Sequence, residues 1–151
     1  MNLKRVFAKF PTGVVVVTTV DRVGRRWGFT ASSFSSVSME PPQILVCLAR
    51  SAQCYQAFDE AAEFAVNILA SGQESVAHRF AQHGDDKFAG LDFSAGSRGL
   101  PVLDRALATL ECGTVARFPA GDHVILLGEV YAAGVGEGDP VLYYDREFRH
   151  V

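Results

Sequence analysis

Val14 to Val20 reads Val-Val-Val-Val-Thr-Thr-Val, and every residue in it is branched at Cβ. Such side chains are stiff at χ1, crowd a helical turn and suit a pleated surface, so the run reads as a strand. The segments around it follow the same habit. Before it, residues 2–10 form a short helix with Val6, Phe7 and Phe10 on one face, ended by Pro11. After it, a polar turn at Val23-Gly24 leads to an extended segment from Trp27 to Ser36, which makes a hairpin with a longer connection. Pro41-Pro42 interrupts the chain, and Gln43 to Leu48 is a third strand, apolar enough to be central.

Ser51 to Ala62 has helical composition. Glu63 to Leu69 alternates in period two, with Phe64, Val66 and Ile68 on one face and Asn67 and Leu69 on the other. Ser71-Gly-Gln-Glu74 has the pattern of a capping box, and the helix it opens turns Val76, Ala77, Phe80 and Ala81 inward and stops near Gly84. Asp85 to Pro101 is expected to be a long loop, a length often associated with function. Ala106–Phe118, Asp122–Ala132 and Val141–Tyr144 read as strands, with turns at Gly121-Asp122 and Gly134 to Asp139. Strands joined mostly by hairpins, with three short helices not alternating with them, exclude a doubly wound parallel sheet and favour a small antiparallel barrel with peripheral helices. Residues 1–151 read as a single domain, without repeat or linker.

Charge and apolar runs narrow the function. Lys and Arg number 14 against 17 Asp and Glu, and the basic pairs Lys4-Arg5 and Arg25-Arg26 are too short for a patch, so no nucleic-acid partner is expected. The N-terminus lacks the apolar run of a signal peptide, and no stretch approaches the ~20 apolar residues of a membrane span, so a soluble, cytoplasmic protein is expected. Cys47, Cys54 and Cys112 show no Cys-x-x-Cys spacing. His78 and His83 stand five apart, off register for one helix face, and His150 lies in the tail; no metal site is expected. Neither a Gly-x-Gly-x-x-Gly fingerprint between strand and helix, nor a Gly-x-Ser-x-Gly elbow, nor a Walker loop occurs. Any nucleotide must be held by another device.

The unusual segment is Thr30-Ala-Ser-Ser-Phe-Ser-Ser-Val-Ser38, six of whose nine residues carry a hydroxyl. An extended chain would put Thr30, Ser32, Phe34, Ser36 and Ser38 on one face. Serine weakens a strand, and hydroxyls both donate and accept, so two readings stand: a serine-rich surface loop, or a face that hydrogen-bonds a ligand. Ala49-Arg50-Ser51-Ala52-Gln53 follows an apolar strand and opens a helix, as either a capped start with a solvated arginine or an anion site. Lys87, in Asp85-Asp-Lys-Phe88, is either solvated or a phosphate contact. His123, at a strand start after Gly121-Asp122, is either a turn residue or one facing a pocket mouth.

Phe10-Pro-Thr-Gly-Val-Val-Val-Val-Thr-Thr19 and Gly28-Phe-Thr-Ala-Ser-Ser-Phe-Ser-Ser-Val-Ser38, followed by Pro41-Pro42, resemble the short-chain flavin reductases, the reductase components of two-component flavin monooxygenases. Further matches run in order along nearly the whole chain: Arg50-Ser51, Phe64 to Leu69, Arg79-Phe80-Ala81, Asp86-Lys-Phe88, Gly121-Asp-His-Val124 with Gly128-Glu-Val130, and Leu142-Tyr-Tyr144. The resemblance implies an antiparallel, Greek-key-like, FMN-binding split β-barrel, usually a homodimer. It implies FMN or FAD bound near the dimer interface, NADH or NADPH as hydride donor, and an oxygenase that receives the reduced flavin. By position it assigns Thr30, Ala31, Ser32 and Ser33 to the isoalloxazine edge, with Ser38 and Cys47 in the same cofactor-binding set. It assigns Ala49, Arg50, Ser51 and Gln53 to the ring or ribityl phosphate, and Lys87 and Phe88 to the phosphate side. His123 would stand near flavin and nicotinamide as the catalytic residue, and Tyr144 would border the same pocket. Phe29 and Cys54 depart from the side chains common in the family at these positions.

Overall fold

The computed structural model describes residues 1–151. Helix α1 (Leu3–Phe7) and strand β1 (Thr12–Gly13) lead into β2 (Val15–Val20), β3 (Arg26–Ala31), β4 (Phe34–Met39) and β5 (Pro42–Ala49). Helix α2 (Tyr55–Glu60), β6 (Glu63–Ile68) and α3 (Glu74–Phe80) follow, then β7 (Phe93–Ala95) and β8 (Pro101–Leu103). The long hairpin β9 (Ala108–Ala120) and β10 (His123–Val135) precedes a small one, β11 (Val141–Tyr144) and β12 (Glu147–His150). The fold is mainly antiparallel β, as expected, with more strands than the sequence reading drew.

Seven strands form the principal sheet in the order β3-β2-β6-β9-β10-β5-β4, all pairs antiparallel. Its two edges, β3 and β4, are consecutive in the chain and separated only by Ser32 and Ser33. A flat sheet of this size would hold its edges roughly 29 Å apart, whereas three residues span at most about 10 Å. The sheet must therefore roll until its edges nearly meet. They are not paired to each other, so the sheet does not close, an arrangement consistent with the split barrel the resemblance implied.

The valine run explains itself here. Val15 and Val17 enter one core with Phe29, Val46, Leu48, Phe64, Val66 and Leu126. Val14 and Val16 enter a second, with Leu69, Val76, Phe80 and Leu103. A strand covered on both faces needs apolar residues at every position. β6 is likewise buried on both faces, and Asn67 on its second face is fully buried, donating to the Val16 carbonyl and accepting from the Leu103 amide. Gly28 lets Phe80 approach, since a Cβ there would lie 2.8 Å from the ring.

Several local expectations are corrected. The extended segment beginning at Trp27 breaks after Ala31 and resumes at Phe34, so Thr30, Ser32 and Ser36 do not share one strand face. The helix expected from Ser51 starts only at Tyr55. Ser71 does not cap α3: Gln73 occupies the N-cap position, Glu74 accepts from the Gly72 amide, and the Ser71 hydroxyl bonds the His150 ring instead. Ala81 lies just beyond the helix and is exposed. The stretch 85–101 contains β7, which pairs with β8. β10 runs to Val135, through the start of the turn expected from Gly134. β12 was unforeseen. It closes a two-residue hairpin in which Asp145 (φ 52°) and Arg146 (φ 65°) are both left-handed, a conformation that costs a side chain-bearing residue roughly 1–2 kcal/mol.

Candidate active site

A cavity of about 640 Å³ opens where the sheet is split. One wall is the end of β3 and the connection to β4, contributing Thr30, Ala31, Ser32 and Ser33. The opposite wall is β5 and the start of β10, contributing Cys47, Ala49 and His123. Gln53 and Cys54 from the approach to α2 and Lys87 from the loop after α3 complete the rim. Four stretches of the chain, residues 28–33, 47–54, 80–87 and 120–125, thus converge. Ala31, Ala49, Ala52, Ala81 and Ala120 are all among the lining residues, so much of the wall is flat and apolar.

The hydroxyls divide by task. Thr30 donates to the Ala77 carbonyl at 2.7 Å and ties β3 to α3. The Ser33 hydroxyl accepts from the Cys47 amide at 3.2 Å and donates to the Cys47 carbonyl at 3.3 Å, holding the loop against β5 where the ladder has stopped. Ser32 has no hydrogen-bond partner and is exposed in the cavity wall. The amides of Ser32, Ser33 and Gln53 have no backbone acceptor. Lys87 forms no salt bridge, so the rim holds a free ammonium and free N–H donors, a set that suits an anionic, hydrogen-bond-accepting ligand.

His123 is set between Ala49 on β5 and Ala120 on β9, small neighbours that leave its ring room. Its Nδ1 lies 2.8 Å from Asp122 Oδ1, which leaves Nε2 as the free ring nitrogen. That hydrogen bond, with the charge of His123, holds the exposed Asp122 carboxyl below its ordinary value. The Asp122 carbonyl accepts from the Arg50 amide, joining β10 to the segment after β5. Gln53 Oε1 accepts from the Gly84 amide at 3.1 Å and bridges the two rim loops. Burial pushes the Cys54 thiol up to about 11, so it lines the wall as a neutral side chain.

Five residues expected at the site stand outside this lining. Ser38 lies beyond a register shift in β4, opposite Gln43. Arg50 and Ser51 are exposed and precede α2 by several residues, so they do not form a helix N-terminal anion site. Phe88 is buried edge-on against Phe80 and Phe93, with the Arg26 guanidinium 4.7 Å above its ring. Tyr144 faces Lys9 and Arg149. Sequence reasoning overlooked Gly28, Ala52, Ala81, Ala120 and Ile125, small or apolar residues indistinguishable from core until the walls are assembled. His83, set aside in the sequence as a metal ligand, also lines the cavity, and among all residues no cluster suited to a metal occurs.

Known proteins are similar to this chain in sequence and in fold. A Streptomyces coelicolor protein described as an actinorhodin polyketide dimerase is 52% identical over 147 residues, 97% of this chain and 83% of its own. An NADH:riboflavin 5'-phosphate oxidoreductase of Streptomyces pristinaespiralis is 41% identical over 97% of this chain and 85% of its own. The structure of a Streptomyces globisporus NADH:FAD oxidoreductase, in complex with NAD and FAD fragments, superposes with a TM-score of 0.92 at 40% identity, covering 97% of this chain and 89% of that one. Of a Rhizobium meliloti stachydrine N-demethylase reductase subunit, 42% identical, this chain spans only 56%, and of a second relative from that organism 42%. The family model for the flavin reductase like domain matches residues 7–151, nearly the whole chain, and with these identities the chain belongs to that family.

Proposed function

We propose that the chain is an NAD(P)H-dependent flavin reductase that binds FMN or FAD in the cavity at the split and passes reduced flavin to a partner monooxygenase. The observation that carries this reading is the pairing of a flat alanine-lined slot with unpaired donors at its rim. A bound flavin would supply the two-electron acceptor for hydride from the reduced nicotinamide. The protein's part is orientation and electrostatics. Ser32 and the free amides of Ser32 and Ser33 stand where they can donate to the polar edge of the ring, stabilising the negative charge it gains. Lys87 faces the phosphate side. His123, with Nδ1 held by Asp122, presents Nε2 to the ring or to the incoming nicotinamide. No protein nucleophile is needed.

The reading includes a homodimer. Val6, Phe7 and Phe10 at the N-terminus and Val37 and Met39 on β4 leave apolar surface uncovered beside the split, more than scattered exposure explains. It also includes a cytoplasmic location, which the three free cysteines support. No helix is long and apolar enough to cross a membrane.

A second reading is an enzyme that keeps FMN tightly bound and reduces or oxidises a substrate of its own; the name of the 52% identical polyketide dimerase, which describes work on a polyketide, gives a reason to weigh it. The deciding experiment follows nicotinamide absorbance after mixing protein with NADH or NADPH, with and without added FMN or FAD. The reductase reading expects oxidation that rises with free flavin. Oxidation independent of added flavin, by protein purified with flavin attached, supports the second. No oxidation in any combination overturns the reductase.

A further inference from the structure

A second cavity of about 500 Å³ adjoins the first and shares Thr30, Ala31, Ser32 and Ala81 with it. Its far side is the β11–β12 hairpin, which contributes Tyr143, Arg146, Glu147 and Phe148, and its near side is α3 with His78. The two spaces meet at Ser32, whose hydroxyl has no protein partner.

The charges around this annex are unequal. Asp145 of the hairpin turn is paired with Lys9 at 3.5 Å, and Glu147 with Arg149 at 3.2 Å. Arg146 has neither a salt bridge nor a hydrogen bond. It also occupies a left-handed position, φ 65°, in a two-residue hairpin turn that ordinarily takes glycine there. A residue held in such a conformation points to a role for its side chain that glycine would not fill. The side chain here is a guanidinium lining a cavity, with both acids of its own turn already engaged.

We infer that the annex is a diphosphate-recognition subsite, with Arg146 as its cation. This rests on the reductase reading, in which the reacting ring occupies the main cavity and the remainder of a dinucleotide must leave through a neighbouring opening. A guanidinium fork fits paired phosphate oxygens. The half-buried aromatic rings of Tyr143 and Phe148 offer surface to an adjoining nucleoside. Both FAD and NAD(P)H carry the diphosphate, and the experiment distinguishes them.

Arg146→Gly is the informative variant, because glycine adopts the turn's backbone without strain and the hairpin should be at least as stable as before. Steady-state rates are measured for NADH and NADPH against FMN and FAD. The inference expects KM to rise at least fivefold for a dinucleotide with kcat within twofold, and Arg146→Lys to recover part of the loss. A rise for FAD but not FMN assigns the subsite to the flavin; a rise for the nicotinamide donor with either flavin assigns it to the donor. All KM values within twofold of wild type, or a rise for FMN as large as for the dinucleotides, overturns it. Calorimetric titration with ADP gives a readout independent of turnover. Weakening of at least fivefold in Arg146→Gly upholds the subsite even if wild-type protein oxidises no nicotinamide, the result that would sink the reductase reading alone. Absent or unchanged ADP binding counts against the subsite.

Discussion

The two ends of β10 present opposite ways of placing polar groups beside a core. Tyr131, near one end, donates to Glu63 at 2.9 Å; Arg98 bonds the other oxygen of Glu63 at 3.2 Å and stacks 3.8 Å over the tyrosine ring. Glu111 on the neighbouring β9 accepts from both the amide and the hydroxyl of Ser97. Burial and the hydrogen bond to Glu63 push the Tyr131 hydroxyl above its ordinary value, so it stays a donor. His123, eight residues earlier and roughly 25 Å away along the strand, sits among groups with no partner: the Ser32 hydroxyl, the Lys87 ammonium and free amides. Saturated polar groups hold a fold together, and unsaturated ones around a cavity are available to a ligand. The difference between the ends lies in what remains unbonded, because both are polar.

That contrast can be broken by substitution. His123→Ala should lower kcat/KM with the nicotinamide donor by about tenfold to a hundredfold, ~1.4–2.7 kcal/mol of transition-state binding, with the unfolding temperature unchanged. Unaltered turnover while flavin still binds would take His123 out of the site. At the other end, Glu111→Ala leaves the part-buried Ser97 amide without its acceptor and should cost about 1–3 kcal/mol in urea unfolding, with KM for every substrate unchanged. Equal damage to both properties by either variant would erase the distinction.

The two serines of the split test it within one loop. Ser32→Ala and Ser33→Ala should each cost about 0.5–1.5 kcal/mol, but in different measurements. The first should weaken flavin binding and leave stability alone, since Ser32 has no protein partner. The second should lower stability first, since Ser33 bridges to Cys47. If both act on flavin affinity alone, the Ser33 bridge has no structural worth.

The last comparison sets Cys54, in the cavity wall, against Cys112, on β9. Burial raises their thiols to about 11 and about 12 in the folded chain. A folded pKa above the unfolded value means that the stabilisation is complete below about pH 9 and is lost as pH rises through 11 to 12. The urea midpoint should therefore fall between pH 9 and 11.5, and Cys112→Ala should flatten that decline. An equally steep decline in the variant would show that other groups cause it.

Much of the fold was legible because local rules and burial agreed. The valine run, the apolar strand Gln43 to Leu48 and the alternation after Glu63 all became strands, since β-branched or alternating apolar residues have few other uses. β12 was missed because Glu147-Phe-Arg-His150 carries no apolar alternation; its pairing with β11 makes it a strand. The capping box failed because the Ser71 hydroxyl found a partner in His150, a contact across 79 residues that no local pattern contains. Of the candidate site residues, Thr30, Ala31, Ser32, Ser33, Cys47, Ala49, Gln53, Lys87 and His123 line one cavity, while Ser38, Arg50, Ser51, Phe88 and Tyr144 do not.

The sequence by itself determined a mainly antiparallel β domain, its membership in a family and the short list of segments from which a site could be built. Those properties follow from residue type and order along the chain, which sequence contains in full. The tertiary structure alone decided which hydroxyl of the cavity wall is free, which tyrosine of the Tyr143-Tyr144 pair lines a cavity, and that Arg146 forms no salt bridge beside a second opening. The physical reason is that a polar group's availability depends on every neighbour that could bond it. In a rolled sheet those neighbours come from strands dozens of residues away.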